Sequence, residues 1–255
     1  YNSKIDFFTN IAHEIRTPLS LIIGPLEYLM KTSSINNVYG EYLSIIEQNY
    51  KRLYALVTQL LDFRKVDTGS YKLSYDCYRI KEIICKVTCI FELSARQKKV
   101  TIDTSSIPEK LSIVIDEEAF TKIISNLLTN AIKYSETYIR IRLYSEGERL
   151  LLSVCNDGLV IPVEMREEIF KPFIQYKTGT LRSVPGTGIG LALARSLAEL
   201  HEGTLCMEDS MENNCFLLSL PLKHEQTVAM EHKEPVTGGE SSEESGAGTA
   251  LEQHR

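Results

Sequence analysis

The sequence predicts two folded domains and a tail: an all-α helical hairpin that forms a dimeric four-helix bundle, then an α+β two-layer sandwich. Three observations predict it. Apolar residues step by three or four along two long opening stretches. From Lys72 the pattern changes to short strand-like runs interleaved with helices. After Leu222 the apolar periodicity is lost. The divisions fall at residues 1–70, 71–222 and 223–255.

The first helix runs from about Lys4 to Met30, with Phe8, Ile11, Ile15, Leu19, Ile22, Leu26 and Leu29 as its stripe. A polar stretch, Thr32 to Gly40, turns the chain. The second helix runs from about Tyr42 to Val66, and Asp67-Thr68-Gly69 stops it. A bare hairpin cannot bury both stripes, so a second copy is expected to complete a four-helix bundle. In the second domain, helices are expected at Arg79–Lys98, Glu117–Tyr134 and Ile189–Leu200. Strands are expected at Lys72–Cys77, Val100–Asp103, Leu111–Ile115, Tyr138–Tyr144, Leu150–Cys155, Thr204–Met207 and Cys215–Leu220, in a mostly antiparallel sheet. The tail has no aromatic residue, and its seven acidic residues outnumber its three Lys and Arg. It reads as a disordered linker or tail, either a tether to a further domain or an extension without a role.

Of the 255 residues, 43% are hydrophobic and 24% charged, an ordinary balance for a globular protein. The net charge of −6 gives no electrostatic case for direct nucleic-acid binding. No apolar run approaches the ~18 residues of a membrane helix. The six cysteines are scattered, without metal-ligand spacing, and are expected to be reduced, mostly buried thiols. The chain begins in mid-helix, so it is expected to be a portion of something longer.

Phe8–Leu19 reads Phe-Thr-Asn-Ile-Ala-His-Glu-Ile-Arg-Thr-Pro-Leu. His13 lies two residues from both Ile11 and Ile15, about 200° round the helix from each, and so points to water. A neutral imidazole there is a nucleophile, and the adjacent Glu14 can orient the ring or take its proton. Pro18 costs a helix about 3 kcal/mol and bends it beside His13, which suggests a site that needs the bend.

This run resembles the phosphoacceptor box of sensor histidine kinases, with Ala12 where Ser is common. The resemblance implies that His13 is phosphorylated by ATP, that Glu14 is the base, and that Thr17 helps hydrolyse the phosphoryl group on a partner receiver. It also implies a homodimer through the hairpin and transfer to an Asp of a response-regulator receiver, in a separate protein or in the same parent chain. The implied location is cytoplasmic, in a parent anchored in the inner membrane through regions upstream. In detail the chain resembles hybrid two-component sensors of Bacteroides-type bacteria.

Further along, Asn126 and Asn130 lie one turn apart on one helix face, with Lys133 three residues on. An amide oxygen suits Mg²⁺, and Lys133 can offset phosphate charge. Gly186, Thr187, Gly188, Gly190 and Leu191 open the next helix, where glycines admit close approach and first-turn amides bind anions. No Rossmann setting surrounds them. The order of these blocks resembles the Bergerat-type ATP-binding domain of histidine kinases, gyrase, the MutL protein and the heat-shock chaperone of ninety kilodaltons. The resemblance assigns ATP contacts to Asn126, Asn130, Lys133, Tyr134, Asn156, Gly158, Phe170, Gly186, Thr187, Gly188, Gly190 and Leu191, and Mg²⁺ to Asn130. The polar segment Ile174–Pro185 is expected to close over ATP as a lid.

One block departs from the family pattern. Where an Asp usually reads adenine, alignment on Gly158 and Ile161-Pro162 places Asn156, and Val160 replaces a second glycine. ATP binding is expected to be weakened rather than lost, since a neutral amide accepts less strongly than a carboxylate. A signalling scaffold without turnover, and a phosphatase-dominated protein acting through Thr17, remain open alternatives.

Overall fold

A computed structural model describes residues 15–28, 38–174, 187–210 and 212–222. Helix α1 is described over 15–28, and α2 spans Val38–Asp67. The rings of Tyr28 on α1 and Tyr42 on α2 meet, their centroids 4.8 Å apart. The apolar residues of α2 divide into two groups. Leu60, Phe63 and Val66 pack against the core of the following domain, while Leu43, Tyr54 and Leu61 stay 57, 63 and 56% exposed. The Gly69 amide donates to the Val66 carbonyl at 3.0 Å and closes the helix, and its φ of +67° is the left-handed conformation of a C-terminal glycine.

The rest is an α+β two-layer sandwich. A five-stranded sheet has the order β2-β4-β5-β7-β6, with β2 Thr101–Ser106, β4 Tyr138–Glu146, β5 Arg149–Asn156, β6 Thr204–Met207 and β7 Asn214–Pro221. All pairs are antiparallel except β2 with β4. That parallel pair needs a crossover, supplied by β3 Ser112–Ile115 and α4 Glu117–Tyr134. Helices α3 Ile80–Gln97, α4 and α5 Gly190–Leu200 cover one face of the sheet. Between the layers lie Ile84, Phe120, Ile124, Leu128, Ile141 and Leu152, all without solvent exposure.

Local chemistry fixes the elements. Asp116 caps α4, its Oδ1 accepting from the Ala119 amide at 2.8 Å. Its Oδ2 accepts from the Ser74 amide at 2.7 Å. This second bond ties residue 74 to the α4 cap, and strand β1 forms later than the expected Lys72–Cys77, at Asp76–Arg79, paired with β3. Gly147, at φ +58°, makes the tight turn joining β4 to β5.

The cysteines depart from expectation. Cys155 and Cys215 are joined as a disulfide across β5 and β7, and Cys77, Cys85 and Cys89 are exposed. On α3 the inward positions are taken by Ile80, Ile83, Ile84 and Val87, which leaves Cys85 and Cys89 on the solvent side.

Candidate nucleotide site and its contact with helix α2

The site assembles where the C-terminal half of α4, the end of β5 and the start of α5 converge. The inner face of α4 is spent on Ile123, Leu127, Leu128 and Ala131. The 3.6-residue period therefore turns Asn126, Asn130 and Lys133 away from the core, and all three are half-buried. Lys133 Nζ stands 4.9 Å above the half-exposed ring of Tyr134. Thr17 lies on the exposed side of α1. His13, Glu14 and Gly186 fall outside the described residues, as does nearly all of the expected lid.

The end of β5 carries Asn156, 2% exposed, whose Nδ2 has no hydrogen-bond partner in the protein. The neighbouring Asp157 is fully engaged elsewhere. Its carboxylate accepts from the backbone amides of Glu136, Thr137 and Tyr138 and from the Thr137 hydroxyl. Burial opposes its charge, and these donors overcome burial, so its pKa is held down to about 2. Asp157 therefore fixes the loop after α4, while the Asn156 amide nitrogen is left without a partner in the protein.

Gly158 follows, and a Cβ there would lie 1.9 Å from the Tyr134 carbonyl oxygen. Only glycine lets this loop rest against the end of α4. Asn214 on β7 pins the same loop. Its Oδ1 accepts from the Ile161 amide at 2.8 Å, and its Nδ2 donates to the Leu159 carbonyl at 2.9 Å.

At the opposite wall Gly188 has φ +69°, and a Cβ on it would meet the Phe173 backbone at 2.9 Å. Phe173 itself takes φ +75°, and its amide donates to the Gly188 carbonyl at 2.9 Å. No side chain caps the start of α5, so its first amides remain available to an anion. Leu191 is half-buried against the core. Phe170 is placed differently from a ligand-facing residue. It is buried, edge-on to Phe216, with the Arg195 guanidinium 3.8 Å from its ring centre. It anchors the segment that carries Phe173.

Sequence reasoning missed the third wall, which comes from α2. Gln59 Nε2 donates to Asn126 Oδ1 at 2.9 Å, and its Oε1 accepts from the Thr187 hydroxyl at 3.2 Å. One turn on, the buried Asp62 pairs with Lys122 at 2.9 Å. Burial works against the Lys122 charge, but Glu118 and Asp62 together raise its pKa. Phe63 meets Phe173 edge-on at 5.9 Å. Residues 59, 62, 63 and 66 share one helical face, which is a readable signal, although the surface they meet is not. Asn214 left no local signal at all.

Residues 115–224 match the family described as histidine kinase-, DNA gyrase B- and HSP90-like ATPase, and residues 3–69 match the His kinase A phospho-acceptor domain. A phosphoacceptor hairpin joined to such an ATPase domain defines a histidine kinase catalytic core, and the chain belongs to the sensor histidine kinases. Sensor histidine kinase TmoS of Ectopseudomonas mendocina is 35% identical over 226 residues, covering 87% of this chain and 23% of TmoS. The full-length ShkA structure in complex with AMPPNP is 24% identical, with a TM-score of 0.63 over 84% of this chain and 45% of that one. Histidine kinase ThkA in complex with response regulator protein TrrA is 25% identical, with a TM-score of 0.61 over 85% of this chain and 61% of that one. The chain spans less than half the length of the first curated relatives it matches.

Proposed function

We propose that this chain transfers the γ-phosphoryl group of ATP to His13 and then to an Asp of a response-regulator receiver. The observation that carries the reading is the buried Asn156 Nδ2, without a hydrogen-bond partner in the protein, at the end of β5 beside the end of α4, the helix that bears the half-buried Asn130 and Lys133. An amide offers one acceptor and one donor, and these match the adenine amino group and a neighbouring ring nitrogen. The triphosphate then runs toward Gly188 and the first amides of α5, with Lys133 offsetting its charge.

The donor set fits Mg²⁺. Asn126 Oδ1 is engaged by Gln59, which leaves the Asn130 oxygen as the protein ligand, with waters and phosphates completing the shell. Bound there, Mg²⁺ would supply positive charge to offset that of the phosphates. A nitrogen of the His13 ring attacks the γ-phosphorus, ADP leaves, and Glu14 takes the ring proton. Thr17, one turn further on α1, orients the water that later hydrolyses the receiver's phosphoryl group.

In this reading residues 1–70 are the dimerising unit, 71–222 the ATP-binding unit and 223–255 a tail or linker. Exposed apolar side chains such as Leu21, Ile23, Leu26 and Leu43 support pairing of the hairpin with a second copy. No helix among the described residues is long and apolar enough to cross a membrane. The parent is a membrane sensor whose cytoplasmic portion contains this chain. The test is ³²P labelling from γ-labelled ATP. His13→Gln is expected to abolish acid-labile, base-stable label while Mg²⁺-ADP still binds, and label retained in that variant overturns the assignment.

A further inference from the structure

Asn156 and Asn214 form the last rung of the β5–β7 ladder, and Cys155 and Cys215 form the rung before it. Leu152 and Val154 of β5, like Phe216 and Leu218 of β7, face the helices, so the two cysteines lie on the sheet's opposite face. There they are 8% exposed, beside Ser153 and Glu208. The Asn156 amide and the Asn214 clamp on residues 158–161 therefore sit one residue from the sulfurs, on the other side of the sheet.

We propose that Cys155 and Cys215 are a reversible thiol–disulfide site that sets how tightly the adjacent pocket grips the base of a nucleotide. The step balances with a small-molecule disulfide as oxidant. One cysteine thiolate attacks the oxidant's S–S bond and releases one thiol. The second cysteine attacks the mixed disulfide, forming the Cys155–Cys215 bond and releasing the second thiol, so two electrons and two protons pass to the oxidant. In the oxidised form the covalent rung holds β5 and β7 together at the pocket's edge. Reduction leaves two thiols that need van der Waals separation where one bond had been, so the rung opens. The opening moves Asn156 relative to Asn214, and through Asn214 it loosens the loop at 158–161.

This inference rests on the nucleotide-site reading, and the experiment separates the two. The whole chain is equilibrated with oxidised glutathione or with excess reductant, and Mg²⁺-ADP binding is measured by calorimetry while peptide mapping locates the disulfide. The oxidised protein is expected to map a Cys155–Cys215 link, distinct from any link to Cys206. Reduction is expected to weaken Mg²⁺-ADP by about fivefold, the worth of one net hydrogen bond. Cys215→Ser is expected to bind equally in both conditions, at the weaker affinity. Should that variant not fold, the wild-type redox titration alone decides. Equal affinity in both states, or two free thiols after oxidation, overturns the inference and leaves the nucleotide site standing. A mapped disulfide with no Mg²⁺-ADP binding in either state overturns the nucleotide-site reading, and the inference with it.

Discussion

Helices α2 and α4 are both amphipathic, yet only α4 is covered by its own chain. Phe120, Ile123, Ile124, Leu127 and Leu128 of α4 are wholly buried against the sheet and its neighbouring helices. On α2 the last turns meet the core of the α/β domain, through Leu60, Phe63 and Val66, and Asn49 is buried farther back, while Tyr50, Tyr54, Val57 and Leu61 face outward. An apolar stripe announces that a helix will be buried without saying whose surface buries it. The α/β domain is stabilised from within. The end of α2 leans on the α/β domain, and the proposed second copy would cover the exposed apolar residues farther back.

Leu127→Ala should produce the largest effect, a loss of about 2–5 kcal/mol in urea unfolding of the α/β domain. A loss near zero would mean that the core is not the source of that domain's stability. Leu61→Glu should instead weaken dimerisation, at about 1.5–3 kcal/mol for each copy's lost burial, seen by sedimentation. It should change α/β stability by no more than about 0.5 kcal/mol. An unchanged dimer would place the pairing face elsewhere on the hairpin.

Asp62→Asn tests the junction between the two regions. Lys122 keeps Glu118, so the expected cost is about 1–3 kcal/mol, read as faster hydrogen exchange at residues 59–66. Gly147→Ala, in open space at φ +58°, should cost about 1 kcal/mol from backbone conformation alone. Gly158→Ala, where φ is not positive, must instead displace the Tyr134 carbonyl that a Cβ would meet at 1.9 Å, and should cost more than Gly147→Ala in the same assay.

The smallest effect is a pH slope. His201 is fully buried, with Nδ1 facing the Leu197 carbonyl at 2.8 Å and Nε2 accepting from the Asp116 amide at 3.3 Å. Burial lowers its pKa, so the unfolded chain binds more protons than the folded one once pH drops below about 6.5. Stability should fall as pH is lowered through that value, and His201→Gln should remove this part of the slope.

What was legible followed from periodicity. Helix α4 runs over the Glu117–Tyr134 read from the sequence, because its cap and its stripe agree. The common face of Asn126, Asn130 and Lys133 follows from the helical repeat. Tertiary pairings were not legible. Strand β1 slipped along the chain because the Asp116 carboxylate, 42 residues away, claimed the Ser74 amide. The Cys155–Cys215 link and the Asn214 clamp depend on the β5–β7 register, which spacing alone does not encode. Gln59 and Asp62 drew no reading from the sequence, because their partners Asn126, Thr187 and Lys122 are brought to them only by the tertiary fold.

The solitary Asn156 nitrogen has a consequence for the empty protein. A neutral amide left unsatisfied costs far less than a carboxylate in the same dry recess. The chain can therefore wait without ligand and keep its fold. Installing an acid by Asn156→Asp would make the unfilled recess a liability, and thermal protection by added nucleotide would grow accordingly.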